Sequence, residues 1–350
     1  MTRSNEIRQF VLENVSEHPQ DITAYASKIF GVSRQAVHRH VRSLVNGGLL
    51  VATGRTRDRQ YRLQPIFEGE WIFPISPNLK EDLIWRENLR PQFTNISPNV
   101  LNICQYGFTE MVNNAVTHSD GDTLIINLKY TADNIVMVVI DNGVGIFDKI
   151  QSELRLDDKR HAILELAKGK LTTDPESHTG EGIFFTSRAF DIFSILSGAL
   201  FFAHNNEGDD WLLEDEETQK QEGTIIKLQI HPRSNRTLST VFDRYTSEKD
   251  DFGFTRTIVP VALARYGDEN LLSRSQAKRL LARFDKFKEI LLDFRNVEVI
   301  GQAFADEIFR VFQKQYPYIR LRRVGTNESV EKMIKRALSE SQESSGDYAT

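Results

Sequence analysis

Between residues 123 and 228 glycine turns cut the chain into short apolar runs, and that rhythm restricts its fold more than any other feature. "TLIINLKY" and "NIVMVVID" are β-rich runs of strand length joined by a polar turn. "ILSGALFFAH", "DWLLED" and "GTIIKLQI" repeat the pattern further along. A helix over residues 100–118 precedes them, and "IFFTSRAF" supplies another. Strands and helices in this order predict an α+β sandwich over residues 100–232, with helices laid on a sheet of mixed direction.

The first of these helices holds "EMVNNAVTH", residues 110–118. At 100° per residue, Glu110, Asn113, Asn114, Thr117 and His118 share one arc, while Met111, Val112, Ala115 and Val116 fill the other. A polar face on a helix otherwise committed to the core meets either water or a bound polar group. Three glycine-bearing fragments bear on the choice. "DNGVGI" (141–146) follows an apolar strand, "HTGEGIFFTSR" (178–188) runs from a Gly-x-Gly turn into a helix, and "EGTIIKL" (222–228) ends in a strand. Each alone is an ordinary turn. Their order, together with Glu110 and Asn114 one helical turn apart, is far more specific.

Together these fragments resemble the Bergerat-type (GHKL) ATP-binding fold shared by gyrase, heat-shock protein 90, histidine kinases and mismatch-repair ATPases, over about residues 100–232. The resemblance implies ATP and Mg²⁺ as cofactors and gives each residue a role. Asn114 offers a neutral oxygen to Mg²⁺, and Glu110 is the catalytic candidate that orients or deprotonates a water. Asp141 accepts the adenine amino group, and Thr224 supports the same edge. Gly143 and Gly145 admit base and ribose. Gly180 and Gly182 turn backbone N–H groups at a helix N-terminus toward the phosphates. Residues 147–179 form the expected mobile lid, in which Lys170, Thr172, Thr173 and His178 are candidate phosphate contacts. Within the same segment His161 reads as a surface residue, and Lys159 and Arg160 as solvated charge.

Residues 1–65 carry ten Lys/Arg against five Asp/Glu, whereas the whole chain has net charge −5. A basic head on an acidic body points to a polyanion as the head's partner. "DITAYASKIFGVSRQAVHRHVRSLVNGGLL" reads as helix, tight turn at Gly31-Val32-Ser33, and second helix, with Ala26, Ile29, Val37, Val41 and Leu44 inward. Arg34, Gln35, His38, Arg39 and Arg42 then face outward, and Arg55, Arg57, Arg59 and Arg62 follow along a hairpin. The stretch resembles a winged helix-turn-helix domain, which implies DNA as partner, read through arginine and glutamine in the major groove.

Residues 66–99, which with the preceding Pro65 hold five of the chain's ten prolines, read as a connector. Residues 250–340 alternate strand and helix again, and "EILLDFRNVEVIGQAFADEIFRVF" resembles a STAS-type domain. That resemblance implies a docking role toward protein. The position at which related partners accept phosphate falls near Gly301-Gln302, neither of which has a hydroxyl. Asp293, Asp306 and Glu307 read as surface carboxylates. Residues 341–350 are polar and predict disorder.

One cysteine excludes an intrachain disulfide and points to a reducing compartment, hence a cytoplasmic protein; no apolar run suits a membrane. The whole chain reads as an ATP-binding, ATP-hydrolysing regulator of transcription that binds DNA, dimerisation being compatible with paired half-sites. The alternative is a serine/threonine kinase of the anti-sigma type that uses its head for docking. A histidine kinase is disfavoured, since no histidine lies between His40 and His118 to accept phosphate.

Overall fold

The structure, a computed structural model, describes residues 2–171, 180–206, 211–214, 221–247, 253–265 and 269–346. Three helices open it: α1 (Arg3–Asn14), α2 (Ile22–Phe30) and α3 (Arg34–Asn46). A hairpin of β1 (Leu50–Thr53) and β2 (Gln60–Leu63) follows. Gly31 ends α2 in the left-handed conformation at φ 61°. Two residues on, the Ser33 hydroxyl accepts the Ala36 N–H at 3.2 Å and starts α3. Val11, Ile22, Ala26, Val37, Val41 and Leu50 close a small core of the head, against which Ala132 of the next unit also packs. Ile29, expected inside, is 55 % exposed. The last turn of α2 runs past this small core, and there Phe30 packs inward instead.

The expected connector is part of the next unit. β3 (Phe67–Pro74) pairs along its whole length with β4 (Thr123–Tyr130), and α4 (Glu81–Ile84) with the turns after it buries Trp85, Leu89 and Phe93 in the main core. Its prolines mark the strand's end and the turns rather than a linker. The main helix, α5 (Pro98–His118), leads into β4 and β5 (Ile135–Asp141). Then come α6 (Ile146–Leu154), α7 (Arg160–Lys168), α8 (Gly182–Ala189), β6 (Ile192–Gly198), β7 (Leu200–Asn205), β8 (Trp211–Glu214), β9 (Gln221–Ile230) and α9 (Leu238–Asp243).

The seven strands stand in the order β3-β4-β5-β9-β6-β7-β8, and every neighbouring pair is antiparallel. The mixed sheet expected from sequence is therefore corrected. β5 and β6, joined through helices, do run in the same direction, but β9 inserts between them and removes the parallel contact.

The C-terminal unit is built on a parallel sheet of β10 (Arg256–Pro260), β11 (Glu289–Asp293) and β12 (Arg320–Val324), in that order. α10 (Arg274–Leu281) connects the first pair. α11 (Gln302–Asp306) continues through a wide turn into α12 (Gln313–Gln315) and connects the second. α13 (Glu328–Gly346) closes the chain, and so runs into the stretch expected to be disordered. Residues 347–350 lie outside the described residues. One continuous hydrophobic core joins this unit to the seven-stranded sheet, running from Ile84 to Ala337. The expected third α/β unit thus has its own parallel sheet and packs continuously against the middle one. Among the described residues no helix is long and apolar enough to cross a membrane.

Candidate functional site

α5 is long because its apolar stripe spans the sheet: Ile103, Phe108, Met111, Val112 and Ala115 are buried. The opposite arc, with Glu110, Asn113, Asn114 and His118, forms one wall of a cavity of about 310 Å³. Asp141 and Thr224, paired across β5 and β9, line the floor with Val139 and Ile226. Gly145, Ile146, Lys149 and Ile150 of α6 form a second wall, and Gly180, Glu181, Gly182 and Ile183 at the start of α8 a third. Four separated fragments of the sequence thus converge on one space, with apolar side chains below and polar ones at its sides.

Hydrogen bonds fix the floor. The Asp141 carboxylate accepts the Gly143 N–H at 3.0 Å and is further bonded by Thr224. Thr224 Oγ1 in turn accepts the Ile146 N–H at 3.0 Å, tying the first turn of α6 to β9. Burial pushes the Asp141 carboxyl above the usual carboxylate range, opposed by those hydrogen bonds. On the wall, Asn114 Nδ2 is buried with no hydrogen-bond partner among the described residues. An amide presents either its N or its O by a half-turn, so Asn114 can offer the cavity a donor or a carbonyl oxygen.

The glycines divide by what they touch. A Cβ on Gly143 would lie 2.0 Å from the Ser119 carbonyl at the end of α5, so the close approach it permits is to the helix, and it does not line the cavity. Gly182 is different. A Cβ there would lie 2.0 Å from Glu110 Oε2, so the absence of a side chain lets the Glu110 carboxylate sit at the N-terminus of α8. Glu181 stands beside it, and burial pushes its carboxyl up, opposed by Lys170.

Lys170, expected at the phosphates, acts on Glu181 in the cavity wall and also reaches the C-terminal unit. Its Nζ donates to the Lys286 carbonyl at 3.0 Å and lies over the rings of Phe254 and Phe287. The C-terminal unit offers it both an acceptor and two π-faces. Thr172, Thr173 and His178 lie outside the described residues. Of the described part of the expected lid, α7 is embedded while Asp148, Ser152, Glu153, Arg155 and Asp157 before it are exposed: every residue from His161 to Lys168 is buried, because the C-terminal unit packs on that helix. His161 is therefore no surface residue, and Arg160 is ion-paired with Asp158 and Glu214.

Lys149 was not singled out in the sequence, although it lines the cavity and pairs with Asp120 at 2.9 Å. Its spacing, one helical turn after Gly145, is the signal that could have found it. In the C-terminal unit, Asp293 and Asp306 are buried and paired with Arg295, Arg274 and Arg310. No cluster of metal-ligating side chains occurs among the described residues.

The head presents Arg34, Gln35, His38, Arg39 and Arg42 exposed along α3, and Arg55 and Arg59 exposed beside the hairpin tip. The side chain of Arg57 lies outside the described residues. The inward residues Val37, Val41 and Leu44 recur at helical spacing, which leaves the arginines on the free side.

Residues 276–331 match a family described as a STAS-like domain of unknown function (DUF4325). The C-terminal part of the chain is therefore STAS-like. No curated protein matches the chain.

Proposed function

We propose that the chain is an ATP-binding regulator in which a Bergerat-type cavity in the middle unit governs a winged-helix, DNA-binding head and a STAS-like docking unit. The carrying observation is the convergence of Asn114, Asp141, Thr224 and the α8 N-terminus on a single cavity with an uncommitted amide in its wall. The cavity fits the implied groups. Val139, Ile150 and Ile226 suit a flat base, with Asp141 and Thr224 at its hydrogen-bonding edge. Asn114 is the ligand for Mg²⁺, a hard cation satisfied by oxygen. Mg²⁺, when bound, would offset the Glu110 and Glu181 carboxylates that face the same end. Glu110 is then placed to hold a water near the phosphates. Both carboxylates repel a bare triphosphate, so nucleotide binding depends on the cation.

Regulation requires that ATP bind one arrangement more tightly than another. The junction of α7 with the STAS-like unit is the element through which that difference passes, because Lys170 faces that unit and adjoins the nucleotide end of α8. On DNA, Arg34, Gln35, Arg39 and Arg42 address a groove and Arg55 and Arg59 the backbone, the usual division of labour in such heads.

Titration of the full chain with Mg-ATP, following γ-labelled phosphate, tests the reading. Saturable, Mg-dependent binding lost in Asn114→Ala is expected, with label released as free phosphate and release suppressed in Glu110→Gln. Label transferred to a protein partner would favour the kinase alternative, and unchanged turnover in Glu110→Gln would leave ATP as a bound effector only. Absence of ATP binding overturns the proposal. For the head, replacing Arg34, Arg39 and Arg42 by Ala should weaken duplex binding and flatten its salt dependence.

A further inference from the structure

We infer that the chain carries a second ligand site, for a small doubly charged anion such as a phosphomonoester, in the crevice between the seven-stranded sheet and the STAS-like unit. A cavity of about 220 Å³ opens there, and it shares no lining residue with the nucleotide cavity. It lies at the C-terminal ends of the parallel strands β10 and β11, where Pro260 and Asp293 enter its wall. Crevices outside the carboxyl ends of parallel strands are where open α/β sheets collect ligands.

The charge balance in this cavity argues for an anion. Arg188, at the end of α8, lines it and is 7 % exposed. Its guanidinium donates to Ser187 Oγ at 3.0 Å and rests on the Phe184 ring at 5.0 Å, and no carboxylate pairs with it among the described residues. A buried guanidinium ordinarily has a counter-charge, because leaving one alone costs several kcal/mol on the order of a buried-pair deletion. This chain follows that rule elsewhere: buried Lys168 and half-buried Arg283 both reach Glu165 at 2.6 Å. Asn206 holds Arg188 in place by donating to its carbonyl at 3.0 Å. Exposed Arg244 stands in the wall, again with no carboxylate paired to it among the described residues. Among the described residues the one carboxylate in the wall is Asp293, which already accepts from Arg295 Nε at 2.8 Å and the Arg295 N–H at 3.0 Å.

Two arginines lining one space, with no acid paired to either among the described residues, match a phosphate dianion, whose oxygens take such donors in pairs. Ile258, Leu263 and Tyr245 give a carbon body something to rest on. The site is independent of the nucleotide reading, since its residues and its charge belong to a different cavity.

The test is calorimetric titration of the full chain with inorganic phosphate and with ribose 5-phosphate, at constant ionic strength and in the Asn114→Ala background to silence the nucleotide cavity. Saturable binding is expected, weakened roughly tenfold or more by Arg188→Gln and by Arg244→Ala, the loss of a charge-assisted hydrogen bond. Arg244 is exposed, so Arg244→Ala keeps the fold and protects the result from a misfolded Arg188 variant. Failure of both probes to bind overturns the proposal, and so does binding that the two variants leave unchanged.

Discussion

Gly143 and Asn114 belong to two of the fragments read from the sequence, yet they differ in what a substitution there removes. A Cβ on Gly143 meets the Ser119 carbonyl, a backbone atom that no rotamer change can move away. Gly143→Ala should therefore cost about 1–3 kcal/mol, the range for an overpacked site, and lower the denaturant midpoint. Asn114 has a buried Nδ2 with no partner among the described residues, so Asn114→Ala removes an unmet polar group. Its stability should stay within about 1 kcal/mol of the parent or rise, while ATP binding is lost. A large loss of stability in Asn114→Ala would mean that the amide is structural. A Gly143→Ala chain as stable as the parent would show that the turn has room to shift.

At the level of elements, α7 and α10 are joined by buried charges. Lys168 Nζ donates to the Arg279 and Ala282 carbonyls, both at 3.0 Å, and so caps the C-terminus of α10. Arg283 Nη2 returns the favour by donating to the Gly169 carbonyl just past α7 at 2.7 Å. Glu165 lies between the two cations at 2.6 Å from each. Burial lowers the Lys168 ammonium to about 8 despite that partner. Lys168→Met leaves Glu165 with Arg283 as its remaining cation and takes the donor from two carbonyls, and should cost about 1–3 kcal/mol by chemical denaturation. A neutral result would mean that water reaches the joint. His161, buried on the same helix, has its pKa held below the usual 6.5, first by burial and then by Arg279. Because the fold favours the neutral ring, the unfolded chain binds the proton more readily as pH falls through that value, and stability declines there. His161→Gln should flatten this acid limb between pH 7 and 5 relative to the parent; parallel curves would exclude the histidine as its source.

Over the whole molecule, what the sequence reveals and what it hides follow from the range of the interaction. The polar arc of α5, the turn at Gly31 and the arginine side of α3 are written in spacings of a few residues, and each can be read directly. β3 also alternates, with Phe67, Trp71 and Phe73 on one side, but flanking prolines mask a strand whose partner is more than fifty residues away. The direction of Lys170 and the burial of α7 depend on residues 279–287, over a hundred positions later, and no local pattern records them. The same distinction predicts how the chain comes apart. The head has a core of its own, whereas the seven-stranded sheet and the STAS-like unit share one. Elements that share a core lose their packing together, since exposing one half strips buried apolar surface from the other. Differential scanning calorimetry of the full chain should therefore resolve two transitions, a small one for the head and a large one for everything after it. Lys168→Met should move only the large transition to lower temperature, and exposed Arg39→Ala neither of them. A third transition belonging to the STAS-like unit alone, or a head that melts in step with the rest, would show that the packing seen at the joint does not bind the layers into one cooperative body.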